Sequence, residues 1–194
     1  MAFFKRLSAL AVCAVLLGSP AAAQVSDHLG IPGPILFDGA AYRLAWSAQP
    51  SANYVKQEYL PAGETLETYS RMLLVERLTG VAVPAAVRAQ VDMLNKRKAS
   101  DPLVNLDLMQ NEQAGEVLLD FIVSSADPQG QPIVEWNAYR YAPYKGPTGE
   151  QGVLLFAISR RGYGDGARAF LGNLKTLRPA QINALAAAPL PKPR

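Results

Sequence analysis

The sequence is poor in thiol and imidazole groups, with one cysteine, Cys13, and one histidine, His28, among 194 residues. Cys13 lies in an N-terminal segment that we predict to be removed, so the mature chain has no disulfide and depends on an ordinary core. A single imidazole cannot build a zinc site of the Cys or His type. His28 falls in an extended lead-in, where it is poorly placed to act as a catalytic base. We therefore expect no metal and no other cofactor.

Long apolar runs are missing after the first 23 residues, and so is a strong excess of one charge. No later segment approaches the roughly 18 consecutive apolar residues of a membrane-spanning helix. Removing residues 1–23 lowers the formal net charge from +3 to +1, because Lys5 and Arg6 leave without any acidic residue. A net charge this close to zero does not indicate a basic surface that could bind nucleic acid, and we predict that nucleic acid is not a partner.

Residues 1–23 have the three parts of a secretory signal peptide in order. A basic pair comes first, an apolar stretch of about 11 residues follows, and small residues precede Gln24. The apolar stretch is shorter than the roughly 20 residues that span a membrane, and Pro20 would interrupt a spanning helix. We predict cleavage near Ala23, release into the periplasm or the medium, and no transmembrane segment afterwards.

The remaining chain is predicted to be one domain. Residues 24–34 are rich in glycine and proline and predict an extended lead-in. Residues 35–187 carry regular hydrophobic periods, without an internal repeat, and residues 188–194 form a proline-rich tail that we expect to be disordered.

Alternating and helical periods divide this domain into strands and helices. Strands are predicted at 35–37, 42–46, 54–60, 104–108, 116–124, 133–141 and 153–159. Helices are predicted at 64–79, 84–98 and 167–177, with Pro179 ending the last helix or starting a short one through Ala187. This order indicates an α+β fold, an antiparallel sheet with helices packed on it.

A strand-to-helix junction is predicted at Tyr59-Leu60-Pro61-Ala62-Gly63-Glu64, followed by Leu66 and Tyr69. This junction resembles one in small uncharacterised exported bacterial proteins, which are similar in element order to the PsbP-like fold of extrinsic photosystem subunits. The resemblance implies a PsbP-like α/β/α sandwich, an antiparallel sheet flanked by helices. It implies no function, because a fold does not carry function with it.

The segment Gly162-Tyr163-Gly164-Asp165-Gly166-Ala167 satisfies a dinucleotide fingerprint but lacks its context. A nucleotide-binding unit needs a second parallel strand and an acidic residue roughly 20 positions on, and neither follows. We predict a glycine-rich turn here. Arg160 and Arg161 precede the turn and form a possible anion site with the next helix start, or a solvated surface.

Carboxylates leave one catalytic hypothesis open. Glu112, Glu116 and Asp120 are close in sequence. In glycosidases, two carboxyl groups whose pKa values differ catalyse hydrolysis of the glycosidic bond. A solvated polar face of a strand is the simpler interpretation.

Aromatic residues suggest a binding surface at Trp136, Tyr139, Arg140, Tyr141 and Tyr144. Alternation along a strand puts Trp136 and Arg140 on one face and Tyr139 and Tyr141 on the other, so one set is expected in the core. Tyrosine, tryptophan and arginine also lead at interface hot spots.

These patterns favour an exported, non-catalytic accessory or binding protein, whose partner is a periplasmic protein, a glycan or a small ligand. Two alternatives remain. One is a carboxylate-based hydrolase with two acids converging in a pocket. The other is a small-ligand carrier that uses the space between sheet and helices.

Overall fold

The structure, a computed structural model, describes residues 25–194, so the predicted signal peptide lies outside the described residues. The described part contains one eight-stranded sheet and two helices. The strands are β1 (Ile35–Phe37), β2 (Ala40–Ser51), β3 (Tyr54–Pro61), β4 (Arg71–Thr79), β5 (Asn105–Asn111), β6 (Glu116–Ala126), β7 (Pro132–Lys145) and β8 (Gln151–Tyr163). The helices are α1 (Val83–Arg97) and α2 (Gly166–Ala187).

Two antiparallel meanders make the sheet, whose strand order is β1-β2-β3-β4-β8-β7-β6-β5. They meet where β4 pairs with β8, with Leu73 opposite Ile158. Helix α1 carries the chain from β4 in the middle of the sheet to β5 at its far edge. The two edge strands differ in length, since β1 has three residues and β5 has seven.

Each face of the sheet has its own core and its own helix. The α2 face buries side chains such as Val75 and Phe156 beneath Leu174 of α2. The α1 face buries Leu74 beneath Leu94 of α1. Because side chains alternate along a strand, neighbouring residues of β4 serve different cores. Each fully buried aliphatic or aromatic side chain contributes about 2 kcal/mol to the free energy of unfolding.

The fold class predicted from the sequence is wrong. Strands make up 45% of residues 25–194 and helices 22%, and the sheet curls into a half-barrel. It is not the predicted PsbP-like α/β/α sandwich, in which helices flank an antiparallel sheet.

The error lies at residues 64–79, predicted to be a helix, most of which form β4. Residues 72–75 are all buried, because their side chains belong alternately to the cores on the two faces of the sheet. A strand buried on both faces has a continuous apolar run that periodicity cannot distinguish from a buried helix. Glu64 orders the turn before β4 instead, since its carboxylate accepts the N–H groups of Ser70 (2.8 Å) and Arg71 (3.0 Å).

Hydrogen bonds hold both ends of the described chain, the first end to the sheet and the last end to the lead-in. Gln57 is fully buried, and its Oε1 accepts the N–H groups of His28 (2.7 Å) and Leu29 (3.0 Å). Residues 188–194, predicted to be disordered, follow α2 as coil, and the N–H of Arg194 donates to the carbonyl of Leu29 (2.9 Å). Neither helix of residues 25–194 is long and apolar enough to cross a membrane.

Candidate functional site

Edge strand β5 has a groove on each side. The α2 groove lies between β5 and α2 and consists of two adjoining cavities of about 420 and 360 Å³, which share three residues of the helix, Leu174, Lys175 and Arg178. Its other principal lining residues are Asn105, Asp107, Met109, Asp120, Ile122, Trp136 and Leu171. Cavities of this size match those that hold small molecules or individual side chains.

The α1 groove lies on the opposite face, between β5 and α1, and has a volume of about 380 Å³. Its apolar lining is made of Val83, Pro84, Val87, Val91, Leu108 and Val117. Leu108 is the middle residue of β5 and is 40% exposed. Arg88, Glu112 and Glu116 also line this groove. The α1 groove therefore presents branched aliphatic side chains together with charged groups beside an exposed strand.

The backbone of β5 is partly bonded by its own side chains. Asn105 Oδ1 accepts the N–H of Leu106 (3.0 Å), and Asp107 Oδ1 accepts the N–H of Leu108 (2.9 Å). Alternate N–H groups of a strand point to the same side. Since these two are bonded within β5, they mark the side that faces away from β6. The N–H groups at the free edge of the sheet are therefore bonded to side-chain oxygens, which the carbonyl groups of another strand can replace.

An ion pair between a buried carboxylate and a partly exposed arginine forms the floor of the α2 groove. Asp120, 2% exposed, accepts hydrogen bonds from Trp136 Nε1 (2.5 Å) on one oxygen and from Arg178 Nε (2.9 Å) and Nη2 on the other. Such a pair holds its geometry, because a carboxylate left without partners in the interior is costly. Asp120 therefore fastens α2 to the sheet beside β5.

Two further charges line the α2 groove. Asp107 lies directly opposite Asp120 in the pairing of β5 with β6. Lys175 projects from α2 into the same groove. Within residues 25–194, neither Asp107 nor Lys175 forms an ion pair. The ammonium of Lys175 and the second oxygen of Asp107 are therefore available to a ligand, since Asp107 Oδ1 already accepts the N–H of Leu108.

The aromatic strand is divided between the two cores, as the alternation predicts. Trp136 is 1% exposed on the α2 face, whereas Tyr139 and Tyr141 pack on the α1 face. Burial raises the pKa of both tyrosine hydroxyls well above its usual value, so they stay neutral. Tyr144 is partly buried on the α2 face.

Arg140 forms a two-pronged pair with Glu116 (2.9 and 3.0 Å) and donates to the carbonyls of Leu185 (3.0 Å) and Ala188 (2.8 Å) at the end of α2. Its guanidinium is therefore committed to holding the helix. The five predicted residues do not share one exposed surface, and binding by any of them stays a prediction.

The two arginines of the predicted anion site point to opposite faces of β8. Arg160 donates to Gln181 Oε1 (2.5 Å) beneath α2. Arg161 pairs with Glu135 and lies over the ring of Tyr69, 4.1 Å from its centre. The two guanidinium groups are not brought together, and an anion site here stays a prediction.

The three acids considered for hydrolysis also do not converge. Asp120 is paired with Arg178 and Glu116 with Arg140, while Glu112 lies exposed in the turn between β5 and β6. No three acidic, histidine or cysteine side chains of residues 25–194 meet as a metal site requires. Residues 162–167 connect β8 to α2 through a turn, as predicted.

The two grooves are not apparent from the amino-acid sequence. Their charged residues Asp107, Lys175 and Arg178 stand in no motif, and they come together only because β5 lies beneath α2. One signal is present in the sequence, since α2 contains basic residues and no acidic residue.

Comparison with other proteins yields a family and no closer relative. No curated protein and no solved structure matches the chain. A family model matches residues 29–190, from the lead-in to the start of the tail. The chain belongs to this family, which is uncharacterised.

Proposed function

We propose that the protein is an exported, non-catalytic binding protein that takes up an extended polypeptide segment along β5. One observation carries the proposal: the free edge strand has a groove on each face. Strand addition uses main-chain hydrogen bonds for affinity and pockets for alternate side chains for specificity. Strand β5 offers both, because the N–H groups of Leu106 and Leu108 lie at the edge and the two grooves adjoin it.

Geometry supports this binding mode over docking of a small ligand alone. Side chains of an added strand would point alternately to the two faces of the sheet. One set would then enter the α2 groove and the other set the α1 groove. Export is supported by the signal-peptide pattern of residues 1–23, which would deliver the protein to the periplasm or the medium.

The binding experiment uses the purified protein and a library of random seven-residue peptides, a length that matches β5. Selected peptides are expected to slow hydrogen exchange at the amides of Leu106 and Leu108. Leu108→Pro is expected to abolish binding, because it removes an N–H group that would bond the added strand. The fold is expected to survive, because an edge strand tolerates proline where its N–H faces outward. The control Leu108→Ala keeps the N–H and is expected to retain most of the affinity.

Equal binding by Leu108→Pro and the unaltered protein would contradict strand addition. Circular dichroism of both variants checks that the fold is intact. Slowed exchange at β1 instead of β5 would also contradict the proposal.

A small-ligand carrier is a second candidate, favoured by the position of the α2 groove between sheet and helix. Native mass spectrometry of the purified protein tests it. A bound small molecule that is lost on Leu171→Trp, which would fill the groove, supports a carrier in place of a peptide-binding protein.

A carboxylate-based hydrolase is favoured by one observation, the position of Asp107 opposite Asp120 in the α2 groove. Both oxygens of Asp120 are occupied by donors, whereas Asp107 accepts one hydrogen bond, from the N–H of Leu108, and is the acid with an oxygen left for a substrate. Turnover in a broad hydrolase screen that disappears in Asp107→Asn would support this function.

A further inference from the structure

We infer that residues 188–194 form a strap that locks the lead-in onto the sheet, so that the strap and the lead-in open together. Neither segment lines the grooves beside β5. The lock is therefore a conformational device that is separate from the proposed binding site.

The strap is fixed at its first end to β7. Arg140 donates to the carbonyl of Ala188 (2.8 Å) and to that of Leu185 (3.0 Å), in the last turn of α2. The pair with Glu116 holds the same guanidinium in place. Leu190, two residues beyond Ala188, packs against the core of the α2 face. A side chain of the sheet therefore determines where the strap begins.

At its other end the strap is bound to the lead-in. The N–H of Arg194 donates to the carbonyl of Leu29 (2.9 Å), and Leu29 is fully buried. The N–H of Leu29 donates in turn to Gln57 Oε1 on β3 (3.0 Å). One buried residue thus carries a bond to the strap and a bond to the sheet. Opening of the strap therefore removes part of what holds the lead-in, and release of the lead-in removes the attachment of the strap.

The two attachments lie at opposite ends of one row of residues across the sheet. Arg140 of β7 lies opposite Phe156 of β8. Phe156 in turn lies opposite Val75 of β4, which lies opposite Gln57 of β3. Three strand spacings of about 4.8 Å separate the ends of this row, and six extended residues reach about 20 Å. The strap therefore bridges the two meanders, from β7 of one to β3 of the other.

Three prolines, at positions 189, 191 and 193, stiffen the strap. Each ring fixes φ at about −65°, which reduces the number of conformations of the open strap. Closure then costs less conformational entropy than closure of a flexible segment, because fewer open conformations are lost. A small number of hydrogen bonds is therefore enough to keep the strap closed.

The lead-in and the strap approach each other so closely at Gly30 that a side chain does not fit there. Gly30 has a φ of 66°. A Cβ atom added to it would lie 2.9 Å from Cβ of Arg194, well inside the roughly 3.5 Å at which two carbon atoms attract each other best. The hydrogen bond between Arg194 and Leu29 therefore depends on glycine at position 30.

The first test loosens the strap from β7 and measures the lead-in on β3. Arg140→Leu removes both bonds to the end of α2, and hydrogen exchange of the purified protein is followed by NMR. The amide of Leu29 is expected to exchange about tenfold faster, which corresponds to the loss of about one hydrogen bond. Glu116→Gln is the matched control, because it removes the ion pair and keeps the bonds from Arg140 to the strap. It is expected to leave the exchange of Leu29 unchanged.

The second test disturbs the contact from the side of the lead-in. Gly30→Ala is expected to make the amide of Arg194 exchange about tenfold faster, because the added Cβ displaces Arg194. Gly63→Ala is the matched control, since Gly63 also has a positive φ, of 84°, and a Cβ there meets no atom within 4 Å. Its backbone strain is similar, and the exchange of Arg194 is expected to be unchanged.

Three results would overturn the lock. Unchanged exchange of Leu29 in Arg140→Leu would show that the strap and the lead-in open independently. Continued protection of Arg194 in Gly30→Ala would show that the close approach does not hold the strap. Loss of protection throughout β8 in either variant, beyond that of its control, would show that the strap is part of the core and not a separate lock.

Discussion

The carboxylate of Asp120 on β6 is bound by the guanidinium of Arg178 on α2, and this pair joins the helix to the sheet beneath the α2 groove. Asp120 is buried while Arg178 is 42% exposed. The two partners are therefore not equivalent. Loss of the arginine leaves a buried carboxylate without its counter-ion, whereas loss of the aspartate leaves a guanidinium that is exposed to solvent.

Removing the arginine is expected to cost more than removing the aspartate. Arg178→Met is expected to lower the free energy of unfolding by about 3 kcal/mol, measured by urea denaturation. The double variant Asp120→Leu/Arg178→Met is expected to recover most of this loss, because no charge stays buried. Arg168→Met, an exposed cation on the same helix, is the control. Equal losses in Arg168→Met and Arg178→Met would refute a special role for the pair.

Asp101 is expected to make the free energy of unfolding decrease at acidic pH. Burial opposes its ionisation, but hydrogen bonds from Ser124 (2.6 and 2.7 Å) and Arg97 (3.0 Å) outweigh burial and hold the pKa of the carboxyl below its usual value of 3.8. A lowered folded pKa stabilises the protein above the unfolded pKa, and this contribution is lost as the pH falls through the folded pKa.

Asp101→Ala is expected to cost about 3 kcal/mol at neutral pH, since it leaves several donors unpaired. The difference from the unaltered protein is expected to shrink as the pH falls from about 5 to about 3. Unfolding curves across this range measure it, with the exposed Asp92→Ala as control. A difference that does not vary with pH would show that the ionised form is not responsible.

Glu76 is expected to have the opposite pH dependence. Its carboxyl is buried on the α1 face and accepts the hydroxyl of Tyr54 (2.9 Å), with Lys56 and Glu58 on the neighbouring strand. Burial raises the pKa of Glu76 above its usual value of 4.5. The folded state then holds a proton that the unfolded state releases, so the free energy of unfolding falls as the pH rises through this interval.

Glu76→Gln removes this cost and still accepts the Tyr54 hydroxyl. We expect the variant to be about 1 kcal/mol more stable than the unaltered protein at neutral pH, with the gain lost below the usual pKa. Thermal unfolding at several pH values measures it, and the exposed Glu112→Gln is the control. A destabilised variant at neutral pH would mean that the ionised carboxylate contributes favourably.

Side chains of β5 are expected to protect the edge from pairing with another copy of the chain. The double variant Asn105→Ala/Asp107→Ala leaves the N–H groups of Leu106 and Leu108 without their acceptors. Exposed strand edges with free donors pair with each other. Light scattering is expected to show a dimer when the protein concentration reaches about 100 µM. This concentration corresponds to the dissociation constant expected for weak strand pairing. Gln110→Ala, on the same strand, is expected to stay monomeric, and a monomeric double variant would refute the protection.

Local signals in the sequence predicted most elements of the fold. Pro84 at the start of α1 and the basic residues at its end locate that helix to within one residue, and alternation assigns Trp136 and Tyr141 to opposite faces. The failure at β4 has a physical cause. The glutamates at 64 and 67 resemble a helix start, but Glu64 binds backbone N–H groups of a turn, and the apolar run that follows is a strand buried on both sides.

The grooves could not be predicted from the sequence, for a different reason. Lys175 and Asp107 are far apart in the chain, and each is an ordinary polar residue of an amphipathic element. Their proximity depends on the sheet order, which places β5 at the edge next to β6 and beneath α2. Sequence periodicity gives the face of a strand but not its neighbours across the sheet.

The unequal edges of the half-barrel have a consequence for stoichiometry. Strand β1 contributes three residues, and β5 contributes seven. Strand β1 covers only the start of β2, however, so within residues 25–194 no strand pairs with residues 43–51 of β2 on that side. Pairing of two β5 edges would close a dimer, whereas pairing of β5 with the β2 edge of another copy would leave one unpaired edge at each end and extend into a filament.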